Sequence, residues 1–168
     1  VNGLAWAAGV VNDPTIPDTF ENGGTQYTVT RIKDRAFFLG VDEANPNLTG
    51  TLTIGNSVTT IGIQAFSDCT LLTAVTIPNS VTSIDGSAFN NCTSLTVISV
   101  ESGNQNYVDD GGVLFNFEKT TLIQYPIGNT RDEYTIPDGV ETIGYAAFYY
   151  CIRLTAVTIG NSVETIGI

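Results

Sequence analysis

The recurrence of similar residues every 23 positions constrains this chain more than any other feature. Ile54, Ile77 and Val100 stand 23 apart, and so do Ile136 and Ile159. Ile61, Ile84 and Tyr107 keep the interval, as do Ile143 and Ile166, Phe66 and Phe89, and Cys69 and Cys92. A period of this size marks a solenoid: one unit cannot bury its own apolar side chains, so units stack and turn each position into a ladder. Cys92 and Cys151 are 59 apart, so one unit carries 13 extra residues, between Val100 and Ile136. The expectation is a single domain over residues 1–168 with about six coils, the first degenerate and the last incomplete, and an insertion at about 101–131.

The first coil is a weaker copy. Tyr27-Thr-Val-Thr-Arg-Ile-Lys-Asp-Arg-Ala-Phe37 lines up with Ser57 to Phe66, with Ile16-Pro17 as the matching strand end. Glu21-Asn-Gly-Gly-Thr25 reads as an inserted turn. The leading Leu4-Ala-Trp-Ala-Ala8 has no basic start and does not read as an intact signal peptide. The last coil stops at Ile166-Gly-Ile168, which leads us to expect a longer parent protein.

Within one unit, Leu72 to Ser94, the pattern is physical. Val75 and Ile77 alternate with Thr76, so they point inward from a strand while Thr76 points out. Pro78 or Gly160 ends that strand. Val81 and Ile84 form a second apolar pair, and Ala88, Phe89 and Cys92 follow at helical spacing. Parallel strands are expected at Thr73–Ile77, Thr96–Val100 and Thr155–Ile159, and single helical turns at Ala65–Cys69, Ala88–Cys92 and Ala147–Cys151. Phe66, Phe89 and Phe148 should stack in one buried row. In the insertion, Gly112–Asn116 and Thr120–Tyr125 read as a β-hairpin leaving the solenoid, with Phe117 at its exposed tip.

Leu72, Val75 and Ile77 follow L-x-x-L-x-L, as do Leu95, Ile98 and Val100, and Leu154, Val157 and Ile159. The whole phrase from Leu72 to Cys92 resembles the BspA-like leucine-rich repeat family, with Asp85 where Gly62, Gly144 and Gly167 keep glycine. Asn106 to Asn116, followed by Thr121 to Pro126, is similar to a variant unit of that family. The resemblance runs from about Ile16 to the end. It implies a leucine-rich repeat solenoid, a right-handed β-rich superhelix with parallel strands and short helical turns. It also implies a secreted or cell-surface protein, of the kind found in host-associated bacteria and some parasitic protists, that adheres to host matrix proteins, host cells or other bacteria.

Chemistry is poorly supplied. Histidine is absent, which removes Ser-His-Asp and Cys-His catalysis. No phosphate-binding loop of the Walker or dinucleotide type is present. A net charge of −11 repels phosphate backbones and anionic lipid, so nucleic acid and membrane-surface partners are not expected. Arg31, Lys33 and Arg35 alternate with Ile32 and Asp34 and read as a solvated strand face. No apolar run is long enough for a membrane helix.

Cys69, Cys92 and Cys151 share one repeat position and read as a ladder of reduced, shielded thiols; a Cys69–Cys92 bridge is the alternative. The pairs Asp109-Asp110 and Asp132-Glu133 could serve as glycosidase-like acids or as calcium ligands, but solvated turns suit them better. Asn47-Leu-Thr49 and Asn91-Cys-Thr93 are glycan-acceptor patterns, accidental in a bacterial chain. No catalytic, cofactor or metal residue is assigned, and no enzyme activity is expected.

Binding is the remaining reading. Thr53, Thr76, Ser99, Thr135 and Thr158 point outward from successive strands, with Thr73 and Thr155 beside them. Such a flat face of small hydroxyls suits β-propensity and solubility. It equally suits docking of a protein or glycan, since solenoids bind through extended surfaces. Phe117 is the second candidate contact. The rival reading is a scaffold or spacer with no ligand of its own.

Overall fold

The computed structural model describes residues 11–38 and 48–167. Leu4 to Ala8, Asn47 and Ile168 lie outside the described residues. The front of the solenoid is a parallel sheet. Val11–Asn12 and Thr15–Ile16 pair with Leu48–Ile54, which pairs with Leu72–Ile77, which pairs with Val97–Val100. Glu133–Thr135 and Ala156–Thr158 make a separate parallel pair. The 23-residue period is the hydrogen-bonding register: Thr53 lies opposite Thr76, Ser99 opposite Thr76, and Thr158 opposite Thr135.

A second wall runs along the opposite corner of each coil. Arg31–Ile32, Thr60–Ile61 and Ser83–Ile84 form one short parallel ladder. Thr121–Gln124, Thr142–Ile143 and Thr165–Ile166 form another. Between front sheet and corner the core fills with Leu52, Val75, Ile98, Ile61, Val81 and their neighbours. Near the N-terminus, the turn at Gly23 and Gly24, whose φ angles are 60° and 78°, joins Thr19–Asn22 and Thr25–Thr28 into an antiparallel hairpin. Its Phe20 and Tyr27 rings stack at 5.3 Å.

The corners are not helical. Each carries two left-handed residues four apart: Gln64 and Asp68, Ser87 and Asn91, Ala146 and Tyr150. The N–H groups of Phe66 and Asp68 donate to Ala88 O (2.8 Å) and Asn90 O (3.0 Å) of the next coil. At Ala65–Cys69 the donors, and at Ala88–Cys92 the carbonyls that accept from them, are committed across coils and cannot close a helix. The chain instead makes successive three-residue turns, Ala65 N to Gly62 O and Cys69 N to Phe66 O, each at 3.2 Å.

The insertion is the largest departure from expectation. Its hairpin does not leave the solenoid. Tyr107–Asp110, Val113–Asn116 and Thr121–Gln124 form an antiparallel meander whose last strand continues the corner ladder through Thr142–Ile143. At the other end Gly112 O accepts from Ile98 N of the front sheet (3.0 Å). The strand Val113–Asn116 therefore crosses the interior as a partition. Leu114 packs into the N-terminal core, while Val113 and Phe115 pack into the C-terminal one. Alternation of side chains across a strand explains how one segment serves two cores.

Two further expectations change with it. Leu122, not Tyr107, lies opposite Ile143 in the corner ladder. Tyr107 contributes its hydroxyl, which accepts from Ile84 N at 2.8 Å. The aromatic row is broken too. Phe37, Phe66 and Phe89 stack at 5.0 and 5.5 Å, and a second stack of Tyr125 on Phe148 at 5.4 Å lies beyond the partition. Val157, Ile159 and Ile166 are exposed, because no coil of the described structure stacks on theirs.

Candidate functional site

The front-sheet residues singled out from the sequence come together as two rows. In the first, Thr15, Thr53, Thr76 and Ser99 face one another across four parallel strands. The second is Thr135 opposite Thr158. Between Ser99 and Thr135 the row is interrupted, since the Gly111–Gly112 turn of the insertion occupies the edge of Val97–Val100. Thr53, Thr73, Thr135, Thr155 and Thr158 are exposed, and Thr76 and Ser99 are half-buried between neighbours on both sides.

Their hydroxyls divide into two groups. Thr155 Oγ1 donates to Asp132 O (3.0 Å), and Thr96 Oγ1 donates to Thr73 O (3.1 Å), so these two brace adjacent coils. The hydroxyls of Thr53, Thr73, Thr76, Ser99, Thr135 and Thr158 make no hydrogen bond among the described residues. They are donors and acceptors presented to solvent on a rigid lattice, repeating roughly every 4.8 Å across the sheet. Thr15 belongs to this row and escaped sequence reasoning. It lies 38 residues before Thr53, outside the 23-residue interval.

Phe117 is exposed, as expected, but it stands apart from the Thr rows. Its N–H donates to Asn106 O (2.9 Å), at the end of the meander opposite Gly112. The four-residue strand between them puts roughly 13 Å between that end and the front sheet. The other insertion aromatics are interior: Phe115 and Tyr125 are fully buried, and Tyr107 is half-buried.

The acidic pair Asp109-Asp110 serves the fold. Asp109 Oδ1 accepts from Val100 N (2.8 Å), and Asp110 pairs with Lys119 at 3.0 Å. Among the described residues, no three His, Cys, Asp or Glu side chains are grouped to hold a metal ion. Arg31 lies 3.6 Å from Asp34, and Arg35 donates to Gln64 (2.9 Å), consistent with a solvated face. Asn91 Nδ2 donates to Asp68 Oδ1 (2.6 Å).

The three thiols are free. Cys92 Sγ donates to Phe66 O (3.1 Å), and burial raises its pKa well above the usual thiol value. Burial pushes Cys69 up to about 12, helped by the Asp68 charge, and it does the same to Cys151. Cys151 is only half-buried, so the shielding expected of all three is incomplete at the last one.

A family model described as "BspA type Leucine rich repeat region" matches residues 44–130 and 128–168, in six copies. The chain belongs to the BspA-type leucine-rich repeat family. Among solved structures it resembles the pneumococcal vaccine antigen PcpA, with a TM-score of 0.61 and 20% identity over 95% of this chain and 57% of that one. It also resembles a leucine-rich repeat protein from Eubacterium ventriosum, with a TM-score of 0.57 and 22% identity over 94% and 58%. A third likeness is to a leucine rich cell surface protein from Faecalibacterium prausnitzii, with a TM-score of 0.50 and 23% identity over 91% and 64%. These likenesses show the leucine-rich repeat solenoid fold. The chain spans under two thirds of the length of each of the three structures. No curated protein matches it.

Proposed function

We propose that this BspA-type segment belongs to a secreted or cell-surface protein and binds a protein or glycan partner on its front sheet, without catalysis. The observation that carries the reading is the Thr15–Thr53–Thr76–Ser99 row, whose last three hydroxyls make no hydrogen bond within the described protein. A flat lattice of preorganised small polar groups loses little side-chain entropy on docking. Affinity then comes from many weak contacts repeated along the sheet. The surface placement draws support from the family and from the F. prausnitzii relative described as a cell surface protein. The net charge of −11 favours a partner with a basic patch, bound faster at low salt.

The test screens the chain against immobilised matrix proteins and a glycan array, then repeats the measurement with two variants. Replacing Thr53, Thr76 and Thr158 with Lys should weaken binding at least tenfold, by bulk and by charge. Loss on Phe117→Ser alone would move the partner to the far end of the insertion. An unaltered chain that binds nothing in either screen would support the spacer reading and overturn this one.

A further inference from the structure

The partition leaves one gap in the stacking of coils, and the gap is chemically specific. At each regular junction a corner presents a carbonyl and at least one N–H to the next coil. Ile32 O and Phe37 N meet Gly62 N and Ala65 O, both at 2.9 Å. Ile61 O and Phe66 N meet Asp85 N (2.9 Å) and Ala88 O (2.8 Å). Leu122 O and Tyr125 N meet Gly144 N and Ala147 O, both at 2.8 Å. The third corner should do the same with Ile84 O and Phe89 N. Neither has a backbone partner among the described residues, because the chain beyond Val100 turns inward as the meander instead of laying down the next corner. The Tyr107 hydroxyl satisfies the Ile84 N–H alone.

A cleft of about 90 Å³ opens at this place. Ile84, Gly86, Phe89, Leu114, Ile123 and Tyr145 are among the residues that line it. Its walls are mostly apolar, and its size is on the scale of engineered cavities of about 150 Å³ that admit small apolar ligands. An unpaired donor and acceptor beside an apolar cleft form the recognition pattern of strand addition: backbone bonds supply register and the cleft selects a side chain.

We propose that this cleft is a peptide-binding site. Its ligand is a turned segment of another polypeptide that offers an N–H and a C=O three residues apart, with a small apolar residue at the carbonyl position. That is the chemistry the regular corners use. Gly62 to Ala65, Asp85 to Ala88 and Gly144 to Ala147 share the spacing, and all three alanines are buried. The site is distinct from the front-sheet rows, so either can fail without the other.

The probe is a fluorescein-labelled peptide with the sequence of residues 57–66, blocked at both ends. Anisotropy should show saturable binding with half-saturation below about 1 mM, in the weak range of single-segment contacts. On the unaltered chain, amide hydrogen exchange at Phe89 should slow at least tenfold at saturation, with Phe148 unchanged. The variant Gly86→Phe, at a position with open space where a Cβ would project, should weaken binding at least tenfold. A peptide carrying Trp in place of its alanine should bind at least tenfold more weakly. No binding up to 1 mM, or protection at Phe148 with none at Phe89, overturns the proposal. So does binding indifferent to both substitutions. The exchange measurement uses the native sequence, so it decides the question even if the variant does not fold.

Discussion

At the scale of single residues, the core separates groups whose loss is costly from one whose loss is not. The Phe66 and Phe89 rings lie 5.5 Å apart and nearly parallel, each almost wholly shielded from water. Truncating such a ring removes its transfer energy and leaves a cavity, so Phe89→Ala should cost about 3–5 kcal/mol. Thr76, outward on the front sheet, should cost under about 1 kcal/mol on substitution by Ala. Tyr125 is the opposite case: its ring is fully buried, yet its hydroxyl has no hydrogen-bond partner among the described residues. A buried polar group without a partner bears a desolvation penalty, so Tyr125→Phe should be neutral or stabilising. Urea unfolding of the three variants checks the ordering. A Tyr125→Phe variant as unstable as Phe89→Ala would show that the hydroxyl has a partner in solution.

At the scale of elements, the partition strand makes the sharpest prediction. Leu114 and Phe115 are adjacent and both fully buried, but they belong to different cores. Leu114→Ala should cost about 2–5 kcal/mol and Phe115→Ala about 3–5 kcal/mol. Native-state hydrogen exchange should then separate them. Leu114→Ala should speed exchange chiefly in Leu48–Ile54, Leu72–Ile77 and Val97–Val100, and Phe115→Ala chiefly in Thr121–Gln124 and Thr142–Ile143. Identical protection patterns would mean that the two cores unfold as one. Much of this level was legible in the sequence. The 23-residue interval became the strand register, and alternation placed Thr53, Thr76 and Ser99 on the outer face. The insertion's path was not legible. Tyr107 holds the right interval after Ile84, but periodicity cannot reveal that the strand turns inward and that Leu122 resumes the ladder. The corners misled for a related reason: Ala88, Phe89 and Cys92 are spaced as on a helix, yet their local geometry is set by bonds between coils. The candidate cleft was beyond reach for the same cause, since it exists only where the inserted segment fails to supply a corner.

At the scale of the whole molecule, the buried acids couple stability to alkaline pH. Burial raises the pKa of Cys69, Cys151 and Tyr134 to about 12, and raises Cys92, Tyr107 and Tyr125 as well. The unfolded chain releases these protons from about 9 for thiols and 10 for tyrosines, while the folded chain holds them. Above pH 9 the unfolded state therefore binds fewer protons than the native one, and stability falls as pH rises. The contribution is fully present below about 9 and is lost progressively up to about 12. The net charge of −11 works in the same direction, because deprotonating lysines adds to an existing negative excess. Replacing all three cysteines with alanine separates the two effects. Urea midpoints should be level from pH 7 to 9 and decline from there in the native sequence, whereas the variant should hold its lower stability level to about pH 10. Coincident pH profiles, apart from a constant offset, would show that the thiols titrate alike in both states. Alkylation gives the matching kinetic readout. At pH 8 Cys151, half-buried, should label first, with Cys69 and Cys92 reacting only as the chain opens. Rapid labelling of Cys92 in the folded chain would contradict a thiol shielded between the Phe66 and Phe89 corners.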